Sequence, residues 1–135
     1  MDFTTSMAVA ASGLRAQSDR MKIIAENLAN ANSMSATPGG DPYRRQIATV
    51  KSEFDEQLGA SVVEPGQPIQ DTSPFRSQYD PGNPDADKQG YVKLPNVNTI
   101  VEILDMREAQ RSYEADLTVM NATKNMLSRT VDLLK

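Results

Sequence analysis

The sequence predicts a mainly α fold: long N- and C-terminal helices that pack as a coiled-coil-like pair, joined by a small irregular middle with some β content. Three observations carry this. All eight Pro and six of the seven Gly lie between Pro38 and Pro95, so the strongest breakers of regular structure are confined to the middle. Met7, Leu14, Met21 and Leu28 recur at intervals of seven. A further apolar seam, alternating steps of three and four, runs from Ile103 to Leu134. The chain therefore divides into an N-terminal helix segment (1–33), a Pro/Gly-rich middle (34–95) and a C-terminal helix segment (96–135), the two ends forming one helical core.

The first helix is expected over about Thr4 to Asn32. Ala11, Ile24 and Ala31 fill in the heptad stripe, and such spacing keeps one seam turned toward a partner helix. Frequent Ala favours the helix and allows close approach of neighbours. Arg15 with Asp19, and Lys22 with Glu26, form i,i+4 pairs on the polar face. Asn30 and Asn32 suit a left-handed helix end.

The middle reads mostly as loop. Tyr43 to Val50 and Tyr91 to Leu94 are candidate strands, and Pro-Gly turns stand at Pro38-Gly39, Pro65-Gly66 and Pro81-Gly82. The polar, breaker-rich stretch from Glu64 to Gln89 has the composition of a segment that stays disordered in isolation.

The second helix is expected over about Thr99 to Leu134. Thr99-Ile100-Val101-Glu102 has the form of a capping box, with Asn98 as the alternative cap. Its seam comprises Ile103, Met106, Gln110, Tyr113, Leu117, Met120, Lys124, Leu127, Val131 and Leu134. The polar Gln110 and Lys124 interrupt it at positions where polar groups fix register at some cost in stability. Ala109, Val119, Met126 and Leu133 form a second stripe. Each helix is a rod of roughly 45–50 Å at ~1.5 Å per residue. Paired as a simple hairpin they would leave the second stripe wet, and exposed apolar surface of that extent marks an association site. The inferred partners are copies of the chain or close relatives. A hairpin that buries its seams internally, as a soluble adaptor or secretion chaperone, is the alternative.

Composition narrows the chemistry. There is no Cys and no His, which removes thiolate sites, the usual general base and the commonest metal ligand. The hydrophobic share is 39%, with no Trp, four Tyr and three Phe, so a self-sufficient core is in doubt. A net charge of −4 with both signs mixed gives no basic face for nucleic acid. No stretch reaches the ~20 apolar residues that span a bilayer. The acidic start Met1-Asp2-Phe3-Thr4-Thr5-Ser6 and the short apolar run from Met7 to Ala11 do not resemble a secretory signal. The Asp80–Asp87 cluster fails as a calcium loop, since its sixth and twelfth positions hold Asp85 and Tyr91. Pro38-Gly39-Gly40-Asp41-Pro42 lacks the Lys-Ser or Lys-Thr of a phosphate loop. Both read as turns. No catalytic residue, metal site or cofactor is expected.

Ala11-Ser12-Gly13-Leu14-Arg15-Ala16-Gln17, followed by Ala25-Glu26-Asn27-Leu28-Ala29-Asn30-Ala31-Asn32, resembles the N-terminal signature of bacterial flagellar rod and hook proteins. Pro42-Tyr43-Arg44-Arg45-Gln46, Gly90-Tyr91-Val92-Lys93-Leu94-Pro95-Asn96-Val97-Asn98 and the run beginning Glu108-Ala109-Gln110-Arg111-Ser112-Tyr113 look most like the proximal rod branch. The resemblance covers residues 7–46 and 90–135. It implies a structural subunit exported without a cleaved signal through the flagellar type III apparatus. Such subunits stack helically, with copies of themselves and other rod proteins, into the hollow rod that crosses the periplasm. The terminal helices then line its inner wall. Leu14, Met21, Ile24 and Leu28 are expected to face Tyr113, Leu117, Met120, Leu127, Val131 and Leu134, within or between subunits. Tyr43, Arg44 and Arg45 pair a ring with two guanidinium groups, residue types favoured at interface hot spots, and are expected to contact neighbours outside that seam.

Overall fold

In the computed structural model, which describes residues 2–134, two long helices stand at either end of the sequence with six short strands between them along the chain. The order is α1 (Phe3–Ala29), β1 (Gln46–Ile47), β2 (Val50–Asp55), β3 (Ala60–Pro65), β4 (Ile69–Gln70), β5 (Arg76–Tyr79), β6 (Tyr91–Leu94) and α2 (Thr99–Leu133). The strands form three separate antiparallel pairs, β1 with β4, β2 with β3 and β5 with β6. Met1 and Lys135, which the segments 1–33 and 96–135 and the reading of the N-terminal start include, lie outside the described residues.

The helix ends differ from expectation in instructive ways. α1 stops three residues early. The Asn30 side chain donates to the carbonyl of Glu26 at 2.9 Å, and the chain tightens as Ala31 N–H donates to Leu28 O and Ser33 N–H to Asn30 O. No described non-glycine residue has a positive φ, so the left-handed ending expected at Asn30 or Asn32 does not occur. At α2 the cap is Asn98, whose Oδ1 accepts from Ile100 N–H at 3.1 Å and Val101 N–H at 3.4 Å. This is the N-cap geometry that satisfies otherwise orphaned amides. Thr99 opens the helix instead of capping it, and Glu102 is turned inward to another task.

The chain forms two compact units, and each helix contributes to both. One comprises residues 1–21, 48–67 and 107–135. Here α1 and α2 run antiparallel: Gly13 abuts Asp116, and Arg20 reaches Glu108 at 3.6 Å. A Cβ on Gly13 would stand 2.7 Å from Asp116 Oδ2, so the approach is close because residue 13 has no side chain. The β2–β3 hairpin docks on α1 through Ser12, whose hydroxyl accepts from Val63 N–H at 3.1 Å and donates to Val9 O at 2.7 Å. Its four-residue turn is closed by Gly59, at φ 61°, and by the Asp55 carboxylate, which accepts from Gln57 and Leu58 N–H.

The other unit comprises residues 22–47 and 68–106. Its apolar interior is built from Ile23, Ile24, Ala31, Val92, Leu94 and Val97. In β6, Val92 and Leu94 point inward while Tyr91 and Lys93 face out, the period-two alternation of a half-buried strand. Arg76, on β5, fastens the end of α1 by donating to Ala31 O at 2.8 Å and to Pro95 O at 3.0 Å. Tyr79 and Tyr91 meet edge to face with ring centroids 5.2 Å apart.

Candidate functional site

Two features stand out, one in each unit. In the unit of residues 22–47 and 68–106 it is a buried polar clasp around Asn27. Its side chain uses every hydrogen-bonding capacity a carboxamide has. Nδ2 donates to Gln46 O at 2.8 Å and to Glu102 Oε2 at 3.1 Å. Oδ1 accepts from Tyr43 O–H at 2.8 Å and from Gln46 N–H at 2.9 Å. Asn27 thus joins α1, the approach to β1 and the first turns of α2.

Glu102 is wholly buried, and its second oxygen accepts from Arg45 Nε in a short hydrogen bond. The same guanidinium reaches Asp71 Oδ2 at 3.3 Å and Asp105 Oδ2 at 3.6 Å, so each of its nitrogens serves a different carboxylate. Burial alone would lower the Arg45 pKa, but the hydrogen bonds and charges of Glu102 and Asp71 raise it, and the guanidinium stays charged. Burial, with the nearby charges of Glu26 and Glu102, pushes the Tyr43 phenol up, keeping its proton on the bond to Asn27. Arg44 donates to the carbonyls of Asp71 at 3.0 Å and Ser73 at 3.2 Å and lies 4.2 Å over the Phe75 ring. Tyr43, Arg44 and Arg45 therefore all have partners within their own unit. Of the seam residues placed here, Ile24 is buried and Leu28 half-buried.

In the unit of residues 1–21, 48–67 and 107–135 the feature is the outer face of α2. The residues that turn inward are Ala109, Ser112, Tyr113, Asp116, Met120 and Thr123, a line of mostly small or polar groups. Leu117, Leu127, Val131 and Leu134 are 40%, 42%, 47% and 83% exposed, and Val119, Met126 and Leu133 stand open beside them. Leu14 and Met21 on α1 are half-buried. Of the second stripe read from the sequence, Ala109 is buried and the other three are exposed. Every residue from Lys124 to Leu134 is exposed. The antiparallel register explains this: α1 has 27 residues and α2 has 35, and Phe3 comes level with roughly Met126, by the pairing of Gly13 with Asp116. The last two turns of α2 run past the start of α1.

The helix contacts fall one position short of the apolar heptad. Gly13, Arg20 and Asn27 meet α2, and the residues that follow each of them, Leu14, Met21 and Leu28, are half-buried. Periodicity alone ranks apolar residues as the seam and so passed over Asn27 and Glu102. A signal was present: Glu102 is an acid inside the run Ile100-Val101-Glu102-Ile103-Leu104, and Asn27 is a weak helix former inside a helix. Among the described residues no group of His, Cys, Asp and Glu is arranged to hold a metal, and no helix is long and apolar enough to cross a membrane.

Residues 7–33 match the family model described as "Flagella basal body rod protein", and residues 88–133 match "Flagellar basal body rod FlgEFG protein C-terminal". The chain is 50% identical to the flagellar basal-body rod protein FlgC of Agrobacterium fabrum, an alignment covering 94% of this chain and 91% of that protein. It is 38% identical to FlgC of Salmonella typhimurium, over 93% of this chain and 92% of that one. It is 38% identical to FlgC of Borreliella burgdorferi, over 100% and 99%. Asn27 lies in the first matched segment and Glu102 in the second.

Proposed function

The chain belongs to the FlgC family of flagellar basal-body rod proteins, and from that membership we propose that it assembles through the open apolar face of α2. It is a structural subunit of the flagellar basal-body rod. Its partners are rod subunits, copies of itself among them, added end to end with an offset. Such a heterologous contact does not close and so propagates a tube. The observation that carries this reading is the exposure of Leu117, Leu127, Val131 and Leu134, which nothing in their own unit covers. In the same unit Leu14, Met21, Tyr113 and Met120 are half-buried, whereas Ile24 and Leu28 belong to the other unit. Tyr43, Arg44 and Arg45 set the shape of their unit from within. The chain reaches the rod through the flagellar type III export apparatus, performs no catalysis and needs no cofactor. The lack of His and Cys supports the last two points. A helical adaptor or secretion chaperone loses ground because relatives that match nearly the whole chain are rod proteins.

Leu127→Asp tests the assembly face. Leu127 is already 42% exposed, so the isolated chain should keep its stability within about 0.5 kcal/mol. Assembly would bury an unpaired carboxylate at that point, which is strongly unfavourable. Cells carrying the variant should therefore secrete the chain yet build no complete rod and not swim. Normal rods and swimming would show that this face is not the assembly surface.

A further inference from the structure

The apolar residues of α1 and α2 have two ways to be buried. Leu14, Met21 and Leu28 could zip onto Leu117, Leu127 and Val131 of the same chain or of another, as their spacing invites. The structure instead sets Gly13 against Asp116, Arg20 against Glu108 and Asn27 against Glu102, and leaves Leu117, Leu127 and Val131 of α2 exposed. Building on the rod-subunit reading, we propose that the Asn27–Glu102–Arg45 clasp is the specificity device that imposes this choice. It directs α1 onto α2 of its own chain, in one register, so that the apolar faces remain for neighbouring subunits.

The clasp has the properties such a device requires. Asn27 has no spare hydrogen-bonding capacity: Tyr43 and Gln46 occupy one donor and both acceptor sites, and Glu102 takes the other donor. Glu102 is completely buried and depends on Asn27 and Arg45 for its hydrogen bonds. Any slip of α1 along α2 breaks the Asn27–Glu102 hydrogen bond and leaves a donor and an acceptor unpaired at two buried positions. Unsatisfied buried polar groups are penalised far more than a satisfied pair is rewarded. The same logic makes a single buried Asn fix register and partner number in coiled coils. Arg45 extends the lock: its three nitrogens reach Glu102, Asp71 and Asp105. The backbone N–H of Arg45 donates to Asn96 Oδ1 at 2.8 Å, holding the hub against the segment that leads into α2.

The test uses purified full-length chain with a register reporter. The protein has no Cys, so Arg20→Cys with Glu108→Cys gives two thiols that face each other across the helices. A short bifunctional thiol reagent should join them within one chain. The replaced ion pair is exposed at Glu108 and contributes little. Asn27→Asp in this background sets a second carboxylate against Glu102. The intrachain product should fall several-fold while interchain products rise at the same concentration. Adding Glu102→Gln sets a donor against the new carboxylate at position 27, keeps an acceptor for Arg45 Nε and conserves the net charge; only the donor to Gln46 O is not returned, so the intrachain product should recover in large part. That recovery would show that pairing, not general folding, was lost. Asn27→Asp alone leaving the intrachain product unchanged would overturn the proposal. A double variant no better than the single would overturn it as well. These readouts precede assembly, so they stand apart from the fate of Leu127→Asp in cells.

Discussion

Arg45→Ala is the sharpest probe of what holds the unit of residues 22–47 and 68–106 together. The Arg45 side chain is 20% exposed and that of Glu102 only 1%, so truncation strands a buried carboxylate whose remaining side-chain donor is Asn27. Asp71 and Asp105 lose the same cation. Removing one partner of a buried ion pair costs ~3–5 kcal/mol. The low end applies here because the guanidinium is partly wet and water can enter, so a loss of about 3 kcal/mol is expected. For a chain of 135 residues that lowers the melting temperature by roughly 10–15 °C. Arg45→Lys keeps the charge but not the fork that lets three nitrogens face three carboxylates, so about half the loss should remain. Circular dichroism melts with urea titrations at pH 7 measure both variants. The Arg45 backbone bond to Asn96 survives either change, which isolates the side chain. A loss below ~1 kcal/mol for Arg45→Ala, or a lysine variant no better than alanine, would refute the view of Arg45 as the hub of three carboxylates.

Other perturbations address neighbouring features. Ser12→Ala removes the acceptor for Val63 N–H at a fully buried position and should cost about 1–2 kcal/mol, with faster hydrogen exchange confined to the β2–β3 hairpin. Gly13→Ala gains helix propensity but places its methyl against Asp116 Oδ2. Alone it should be near neutral, and with Asp116→Ala it should stabilise by about 1 kcal/mol in urea titrations. The hydroxyl and amide of Ser73, aided by Arg45, hold the Asp71 carboxyl below its ordinary 3.8 against an opposing burial effect. A depressed folded-state value stabilises above the unfolded value and is lost as pH falls through the folded one, so this contribution begins to decline below about pH 4 and is gone once the pH is under the folded value. Ser73→Ala should move the Asp71 midpoint upward in an NMR titration and weaken that acid dependence.

The helices were legible because their signals are local and dense. Proline-free ends with sustained periodicity placed α2 to within one residue at its C-terminus and α1 to within three. β6 was also foreseen, since Tyr91–Leu94 alternates and buries every second residue. The strand expected at Tyr43–Val50 shrank to Gln46–Ile47, with Val50 instead opening β2. The side chains of Tyr43 and Arg45 turn to the clasp and that of Arg44 to residues 71–75, while the backbone of Arg45 bonds to Asn96 and Asp71. The hairpin of Val50–Asp55 and Ala60–Pro65, with β4 and β5, went unseen in a stretch read as loop. β2 is the charged run Val-Lys-Ser-Glu-Phe-Asp, exposed along almost its whole length, so no buried face imposes alternation on it. β4 has two residues, and β5 is exposed throughout. What organises them is long-range: Ser12 for the hairpin, Arg45 O for Asp71 beside β4, and Leu94 opposite Arg76 for β5. The clasp was hidden for the same reason, because Asn27 and Glu102 acquire meaning only when they meet.

The distribution of polarity along α2 carries a consequence for assembly. An ordinary helical hairpin buries its large apolar residues between the helices and gains ~25 cal/mol per Å² of apolar surface removed from water. Here the inward line from Ala109 to Thr123 is mostly small or polar, whereas Leu117, Val119, Met126, Leu127 and Val131 stay in water. Much of the apolar surface of α2 thus contributes nothing to the isolated chain and, under the proposed assembly, would be buried by neighbours. Hydrogen bonds and ion pairs, which contribute modest net stability but strict geometry, define the pairing of the isolated chain. Under the proposed assembly such a subunit would be weakly stable alone yet correctly shaped, and it would gain its rigidity where neighbouring copies cover the exposed faces. The last turns of α2, beyond the reach of α1, should be the least stable part of the free chain and the part most strengthened on assembly.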